Sequence, residues 1–224
     1  MPIACVLLLP PFVLGAPMLA ARARPAARAV AVAEHLAVAL LLLAPAAFLL
    51  HVSAVTTLRG GKGSGAVGGA KISYGRALFR AVVGVVGGWA TLHTASVLFG
   101  APLVALAWPT ALWALLVATL SAMPSAMLLG SRTGAWARLY GGARAPRAAW
   151  RHPREWVVAP PAVGAVVGAW AGAMLVPLDW DRPWQTHPLP GVYGAVAGHA
   201  CACAWAARAC WHGGVGDGSA KKHS

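Results

Sequence analysis

GAWAGAMLVPLDWDRPWQTHPLP, residues 168–190, is the stretch that decides how this chain is organised. An apolar, glycine-spaced segment ends at Pro177, and a second apolar segment begins near Leu189. Between them lies a short segment that is crowded with charges and prolines and carries Trp180 and Trp184. Aromatic side chains beside charges at the end of an apolar segment are typical of the headgroup layer of a bilayer, where an indole ring is partly hydrated. The pattern predicts a tight turn at a membrane surface.

The composition indicates the class of protein. Hydrophobic residues make up 59% of the 224 residues and charged residues only 10%, whereas a soluble domain carries far more charge on its surface. Apolar stretches of about 20 residues recur, which is the length that crosses a hydrocarbon core of roughly 30 Å. We therefore predict an all-α, polytopic membrane protein, a bundle of about six transmembrane helices. The net charge of +13 does not indicate nucleic acid, because the basic residues lie between apolar segments and form no single stripe.

The whole chain, residues 1–224, is predicted to form a single integral membrane domain. The predicted spans are residues 2–20, 29–58, 81–99, 103–129, 157–177 and 189–211, followed by a tail over 212–224. A basic loop is predicted over residues 131–156. The glycine-rich segment 59–76 is interpreted as a linker, because no strand precedes it and no G-K-[ST] follows, as a phosphate-binding loop would require.

The distribution of basic residues predicts the orientation. With six spans, thirteen Lys and Arg residues in the loops and the C-terminal tail share one face, and four share the other. By the positive-inside tendency both termini are cytosolic, and the turn over residues 179–188 faces away from the cytosol. Arg22, Arg24 and Arg28, directly after the first span, favour the opposite orientation for that span alone.

Glycines recur at every fourth residue in several spans and predict how the helices pack. They are Gly164, Gly168 and Gly172 in the fifth span, Gly194 and Gly198 in the sixth, and Gly84 and Gly88 in the third. In lipid, small residues at this spacing let two backbones approach closely, with van der Waals contact as the main gain. Packing within this bundle is favoured over a docking face for another protein.

Asp179 and Asp181 match the D-x-D pattern that glycosyltransferases use to hold a divalent cation and a sugar donor. Carboxylate oxygens suit Mg²⁺ or Mn²⁺. The favoured interpretation is structural, with Arg182 paired to one carboxylate and the other capping backbone N–H groups in the turn. A membrane glycosyltransferase acting on a lipid-linked sugar is the alternative that this pattern leaves open, and a small transporter is another.

A second candidate is a metal site in the sixth span. His199, Cys203 and Cys210 lie on one helical stripe with His212 nearby, whereas Cys201 lies on the opposite side of the helix. Because no C-x-x-C pair exists and cysteine in an apolar helix is usually a small hydrophobic residue, packing is favoured. No metal and no cofactor are predicted.

Ionisable residues at membrane depth are functional candidates by default. Those expected toward the non-cytosolic side are Glu34, His35, His93, Asp179, Asp181 and His187. No spacing indicates a nucleophile with its base and orienting group, so no catalytic residue is predicted. The longest loop, about 25 residues, is too short for a separate catalytic domain. These observations favour an accessory subunit, a transporter or a scaffold.

Several motifs resemble the PIG-F family of glycosylphosphatidylinositol (GPI) anchor biosynthesis. The specific one is PLDWDRPWQ, residues 177–185, preceded by GAWAGA at 168–173. GAPL at 100–103 and LLG at 128–130 support it, and together the matching stretches cover about a third of the chain. The chain departs from the family pattern at His187, where an apolar or aromatic residue is usual.

The resemblance implies an endoplasmic-reticulum membrane protein that binds and stabilises GPI ethanolamine-phosphate transferases. It implies that the partner subunits, PIG-O and PIG-G, carry the metal site and the phosphotransfer chemistry, and that the family member itself supplies no catalytic residue. Lys221 and Lys222 resemble a dilysine retrieval signal, which is recognised from the cytosol.

The turn has residue types that dominate protein interfaces, namely tryptophan and arginine, and its prolines restrict its conformation. We therefore expect a largely preformed knob that contacts the partner. The predicted partner-binding residues are Asp179, Trp180, Asp181, Arg182, Pro183, Trp184 and Gln185.

Overall fold

The computed structural model describes residues 73–102, 104–141, 153–178 and 185–211, together with seven isolated helical positions between residues 31 and 49. Within the four continuous ranges the helices are α1 Tyr74–Leu98, α2 Ala107–Leu120, α3 Ala122–Leu129, α4 Thr133–Tyr140, α5 Pro153–Ala173 and α6 Leu189–Trp211. These ranges contain no strand, which confirms the all-α prediction for the part of the chain that the structure describes.

Three helical stretches are long and apolar enough to cross a membrane, namely Tyr74–Leu98, Ala107–Leu129 and Glu155–Ala173. The protein is therefore a helical membrane protein, and its total of six spans stays a prediction. The segments predicted as spans 2–20 and 29–58 lie outside the described residues, apart from the isolated positions.

Two of the observed helices, α1 and α5, begin earlier than the apolar pattern indicates, whereas α2 begins at Ala107, after the predicted start at residue 103. α1 begins at Tyr74 and not at residue 81, because the Ser73 side chain caps it by accepting a hydrogen bond from the Arg76 N–H at 3.4 Å. The predicted basic loop 131–156 contains α4 and the first turn of α5. Segments that contain arginine therefore form helix ends at the starts of α1 and α5, although their hydropathy alone predicts a loop.

The predicted fourth span is divided at Ser121 into α2 and α3. Pro124 has no N–H to donate to the carbonyl four residues earlier, which weakens the helix here. Two hydroxyl groups bond backbone carbonyls in this region: Ser121 Oγ donates to Val117 O and Ser125 Oγ donates to Ser121 O, each at 2.6 Å. The two serine hydroxyls are thus satisfied by the helix backbone at the point where the helix is interrupted.

α2 and α3 occupy the centre of the described helices and carry no charged residue. In the stretch Ala107–Leu129, 83% of the 18-residue apolar window is buried, against 6% for the corresponding window of α1. Leu116, Val117 and Met127 are almost fully buried. The central pair therefore has the other helices packed around it.

Helices α5 and α6 contact each other backbone to backbone. A Cβ atom at Gly168 would overlap the Gly194 carbonyl oxygen, and a Cβ at Gly194 would overlap the Gly168 carbonyl oxygen. The same reciprocal contact joins Gly164 to Gly198, and one turn further along Gly172 meets the backbone of Pro190. The glycines identified in the sequence thus lie where two antiparallel helices approach too closely for any side chain.

α1 packs against α2 and α3 in a similar way through Gly84 and Gly88. A Cβ at Gly84 would lie 2.5 Å from the Ala126 Cβ and 2.8 Å from the Ala122 carbonyl oxygen. Trp89 Nε1 also donates to the Ala111 carbonyl at 3.0 Å. This contact aligns α1 antiparallel to α2 and α3.

An ion pair between a partly exposed arginine and a buried carboxylate joins α4 to α5. Arg138 Nη2 lies 2.5 Å from Glu155 Oε1, and the Glu155 side chain is fully buried. Leu139 of α4 packs with Leu128, Leu129 and Trp156 next to this pair. α4 therefore covers the end of the bundle at which α3 ends and α5 begins.

A pair of matched substitutions tests the α5–α6 contact. We expect Gly168→Leu to force these helices apart and to lower the apparent melting temperature of the detergent-solubilised protein by roughly 3–10 °C. Gly87→Leu is the control, because no atom lies within 4 Å of a Cβ placed there. An equal loss in both variants would contradict the packing role.

Candidate partner-binding site

The candidate site is the connection between α5 and α6. Residues 179–184 of this connection, which include Asp179, Asp181 and Arg182, lie outside the described residues. The predicted pairing of Arg182 and the D-x-D interpretation therefore stay predictions. Gln185 and both flanks of the segment are described, and they show how the ends of the connection are held.

On the α5 side, the helix ends in a short series of turns. Leu175 N–H donates to Gly172 O at 3.0 Å and Val176 N–H donates to Ala173 O at 3.1 Å, so three-residue turns replace the α-helical pattern after Ala173. Pro177 follows and has no N–H to continue the helix. The chain thus leaves the helix at a defined point, four residues before the predicted end of the span.

On the α6 side, Gln185 folds back onto that end. Its Nε2 donates to the Leu175 carbonyl at 3.1 Å and also to the Leu178 carbonyl. Only 8% of Gln185 is exposed. One buried amide therefore joins the two described ends of the connection and holds Gln185 close to Leu175 and Leu178. The side chain predicted to contact a partner is used inside the protein.

His187 attaches the same connection to α2. Thr110 Oγ1 donates to the Leu106 carbonyl at 2.8 Å, so its oxygen accepts the proton of His187 Nε2, 3.0 Å away. Burial lowers the pKa of His187 below its usual value of 6.5, because desolvation disfavours the charged ring. The neutral ring is thus a hydrogen-bond donor that positions the start of α6, and the peptide bond to Pro188 is cis.

The other candidate ionisable groups in the described ranges have separate surroundings. His35 Nδ1 lies 2.8 Å from the Ala31 carbonyl, within its own helix. The His93 ring stacks on Trp89 with centroids 5.8 Å apart, and its buried Nδ1 has no hydrogen-bond partner among the described residues. No hydrogen bond in these ranges brings His35, His93 and His187 into one site.

The candidate metal ligands of the sixth span do not form a cluster within the described ranges. No group of three His, Cys, Asp or Glu side chains there is placed to hold a metal ion. His199 Nδ1 lies 3.1 Å from the Pro161 carbonyl, Cys203 is buried, and Cys201 is exposed. The side chain of Cys210 and all of His212 lie outside the described part.

Two residues that matter for this arrangement have no role in the sequence analysis. Thr110 binds His187 across 77 positions of sequence, and no local pattern indicates such a pair. Glu155 is buried in an ion pair, although it begins an apolar segment next to six arginines. The sequence does contain a signal for this ion pair, since a single carboxylate in a segment with six arginines is a natural partner for one of those arginines.

Comparisons with known proteins point to one family. The family model described as "GPI biosynthesis protein family Pig-F" matches residues 16–207. A human protein named "GPI ethanolamine phosphate transferase, stabilizing subunit" is 36% identical over 109 residues, which is 49% of this chain and 48% of the human protein. The mouse protein of the same name is 35% identical over 108 residues, which is 48% of this chain and 47% of the mouse protein.

A Neurospora crassa protein named "Glycosylphosphatidylinositol anchor biosynthesis protein 11" is 40% identical over 108 residues, which is 48% of this chain and 36% of the relative. The chain thus spans about half the length, or less, of the curated relatives it matches. No solved structure matches. The family match confirms the resemblance found in the sequence motifs.

Replacing the Gln185 amide tests whether it holds the connection. In Gln185→Leu, the Leu175 and Leu178 carbonyls lose a donor worth about 0.5–1.5 kcal/mol for each hydrogen bond. We expect faster amide hydrogen exchange over residues 174–178 in the detergent-solubilised protein. Thr94→Val, at an exposed position of α1, is the control. Unchanged exchange in Gln185→Leu would contradict this role.

Proposed function

Because the chain belongs to the PIG-F family of GPI biosynthesis proteins, we propose that it is a non-catalytic membrane subunit that binds and stabilises GPI ethanolamine-phosphate transferases. The observation that carries the proposal is the family match over residues 16–207, together with mammalian relatives named as the stabilising subunit of that transferase. The proposed partners are the catalytic subunits of the PIG-O and PIG-G type.

The geometry of the described helices supports an accessory role. The central helices α2 and α3 carry no charged side chain, and three polar side chains near their ends have structural partners. Arg138 binds Glu155, His187 binds Thr110, and Gln185 binds two backbone carbonyls. These groups hold helices and turns in place, which is what a rigid binding scaffold requires.

The proposed contact is the segment 179–184, because its two ends are held at defined places. Gln185 joins its ends, His187 attaches it to α2, and the glycine contact between α5 and α6 sets the position of both helices. Trp180, Arg182 and Trp184 have the side-chain types that contribute most to protein interfaces. A partner with transmembrane helices of its own and a large luminal domain fits such a surface.

We place the protein in the endoplasmic-reticulum membrane with both termini in the cytosol. Arginines of the described helices support this orientation, since they gather at the end of the bundle away from His187: they are Arg76, Arg80, Arg132, Arg138 and Arg208. A basic end of the bundle is expected on the cytosolic side. Lys221 and Lys222 then lie in the cytosol, where a retrieval receptor binds such a signal.

Truncation of the segment's aromatic or basic side chain tests the proposed contact. Trp184→Ala and Arg182→Ala should leave the protein inserted and yet weaken transferase binding by roughly 30-fold or more, since one buried anchor contributes about 2–4 kcal/mol. Affinity purification from membranes and the steady-state transferase level are the measurements. Trp108→Ala, an exposed tryptophan in the first turn of α2, is the matched control. Full co-purification and normal transferase levels in both variants would contradict the proposal.

Accessibility of single cysteines tests the orientation. In a background with Cys5, Cys201, Cys203 and Cys210 replaced by alanine, Thr186→Cys should react with an impermeant thiol reagent only after sealed microsomes are permeabilised. Ser64→Cys should react from outside, because its loop is predicted to be cytosolic. The reverse labelling pattern would refute the proposed orientation.

A further inference from the structure

An arginine of α1 lies against the corner between α3 and α4. Gly130, the residue at this corner, has φ +58°, and a Cβ atom there would lie 2.8 Å from Arg80 Cζ and 3.0 Å from Arg80 Nε. A larger residue here would displace the guanidinium, and glycine adopts this backbone conformation with less strain than any other residue. The half-buried Arg80 side chain therefore lies directly against the corner.

The carbonyl groups of this corner already have donors. The Gly130 carbonyl accepts from Trp136 Nε1 at 2.9 Å, and the Leu129 carbonyl accepts from Arg132 Nε at 3.3 Å. The buried carboxylate at the same end of the bundle, Glu155, is paired with Arg138. No hydrogen bond or ion pair engages Arg80 within the described ranges. Arg80 and Arg132 thus both lie at this corner, and neither is paired with a carboxylate of the described ranges.

A counter-charge from outside the chain would balance these arginines, since the chain carries 18 basic and only 5 acidic residues. A guanidinium presents a planar fork of N–H groups that matches the oxygen atoms of a phosphate. Basic pockets between transmembrane helices on the cytoplasmic side bind anionic lipid headgroups for this reason. The corner lies at the end of apolar helices, which is the depth at which such headgroups are found.

The neighbouring surface of α1 fits the acyl chains of a lipid. Leu78, Phe79, Val82 and Val83, which surround Arg80 in the sequence of α1, expose between 49% and 70% of their surface. A phosphate held at the corner would therefore have an apolar helix face directly beside it. Free phosphate would make no use of that face.

We propose that Arg80 and Arg132 bind the phosphate group of an anionic phospholipid at the α3–α4 corner, with the acyl chains along α1. The bound lipid neutralises two like charges at the membrane surface and joins α1 to the corner. This site lies at the opposite end of the bundle from Gln185 and His187, and it does not depend on the proposed transferase partner.

Lipid binding to the full-length protein, purified in detergent and delipidated, tests the site. Native mass spectrometry would follow titration with dioleoyl-phosphatidylserine, with dioleoyl-phosphatidylcholine and with inorganic phosphate. We expect one phosphatidylserine to be retained with about tenfold preference over phosphatidylcholine, and millimolar inorganic phosphate not to displace it. Displacement by inorganic phosphate would show a free-anion site and overturn the lipid assignment, as would equal retention of the two lipids.

Matched variants assign the binding to these two arginines. Arg80→Gln and Arg132→Gln should each weaken phosphatidylserine binding about tenfold, and Arg80→Lys should weaken it less, because the charge remains while the planar fork is lost. Arg132 is exposed, so its variant tests the site even if Arg80→Gln fails to fold. Arg208→Gln, which removes an exposed charge from the same end of the bundle, should change binding less than twofold. Equal weakening by Arg208→Gln would show diffuse electrostatic attraction and overturn the proposal.

Discussion

The contact between the backbones of α5 and α6 is the interaction on which the candidate site depends. Inside a bilayer, the lipid tails are as apolar as the side chains, so burial of apolar surface drives helices together only weakly. Close van der Waals contact takes its place, and it requires that nothing larger than hydrogen stands between the helices. Gly164, Gly168, Gly194 and Gly198 meet this requirement reciprocally. The two helices consequently have one relative position, and this position fixes where the connection between them begins and ends.

Hydrogen bonds from polar side chains then fix the ends of these helices. Gln185 bonds the end of α5, and His187 bonds Thr110 of α2. Each bond satisfies a polar group that is poorly hydrated where it lies, so losing it costs more than the same bond would in water. Three helices therefore hold the residues that flank the segment 179–184. A scaffold of this kind suits a subunit whose proposed work is to hold a larger enzyme in its folded state.

The described side chains at the two ends of the bundle differ in charge. At the basic end, Glu155 is taken out of solvent and paired with Arg138, which fastens α4 over the helix ends. Loss of the arginine from this pair would be strongly destabilising, because it would leave a buried carboxylate without a counter-charge. Arg80 and Arg132 have no such carboxylate in the described ranges, and this imbalance is the physical basis for the lipid that we propose at the corner. Among the described residues of the opposite end, the donors are neutral, namely the amide of Gln185 and the imidazole of His187.

Local pattern in the sequence determined the all-helical membrane class, the two glycine rows and the family motif at residues 177–185. Apolar length and four-residue spacing are properties of a single helix, so they can be deduced before any packing is known. The tertiary structure decided which groups meet: Thr110 with His187, Arg138 with Glu155, and Arg80 with Gly130. It also moved the start of α1 to Tyr74 and turned Gln185 inward. These pairs join separate helices, and their meeting depends on how the helices rotate and cross, which no single helix encodes.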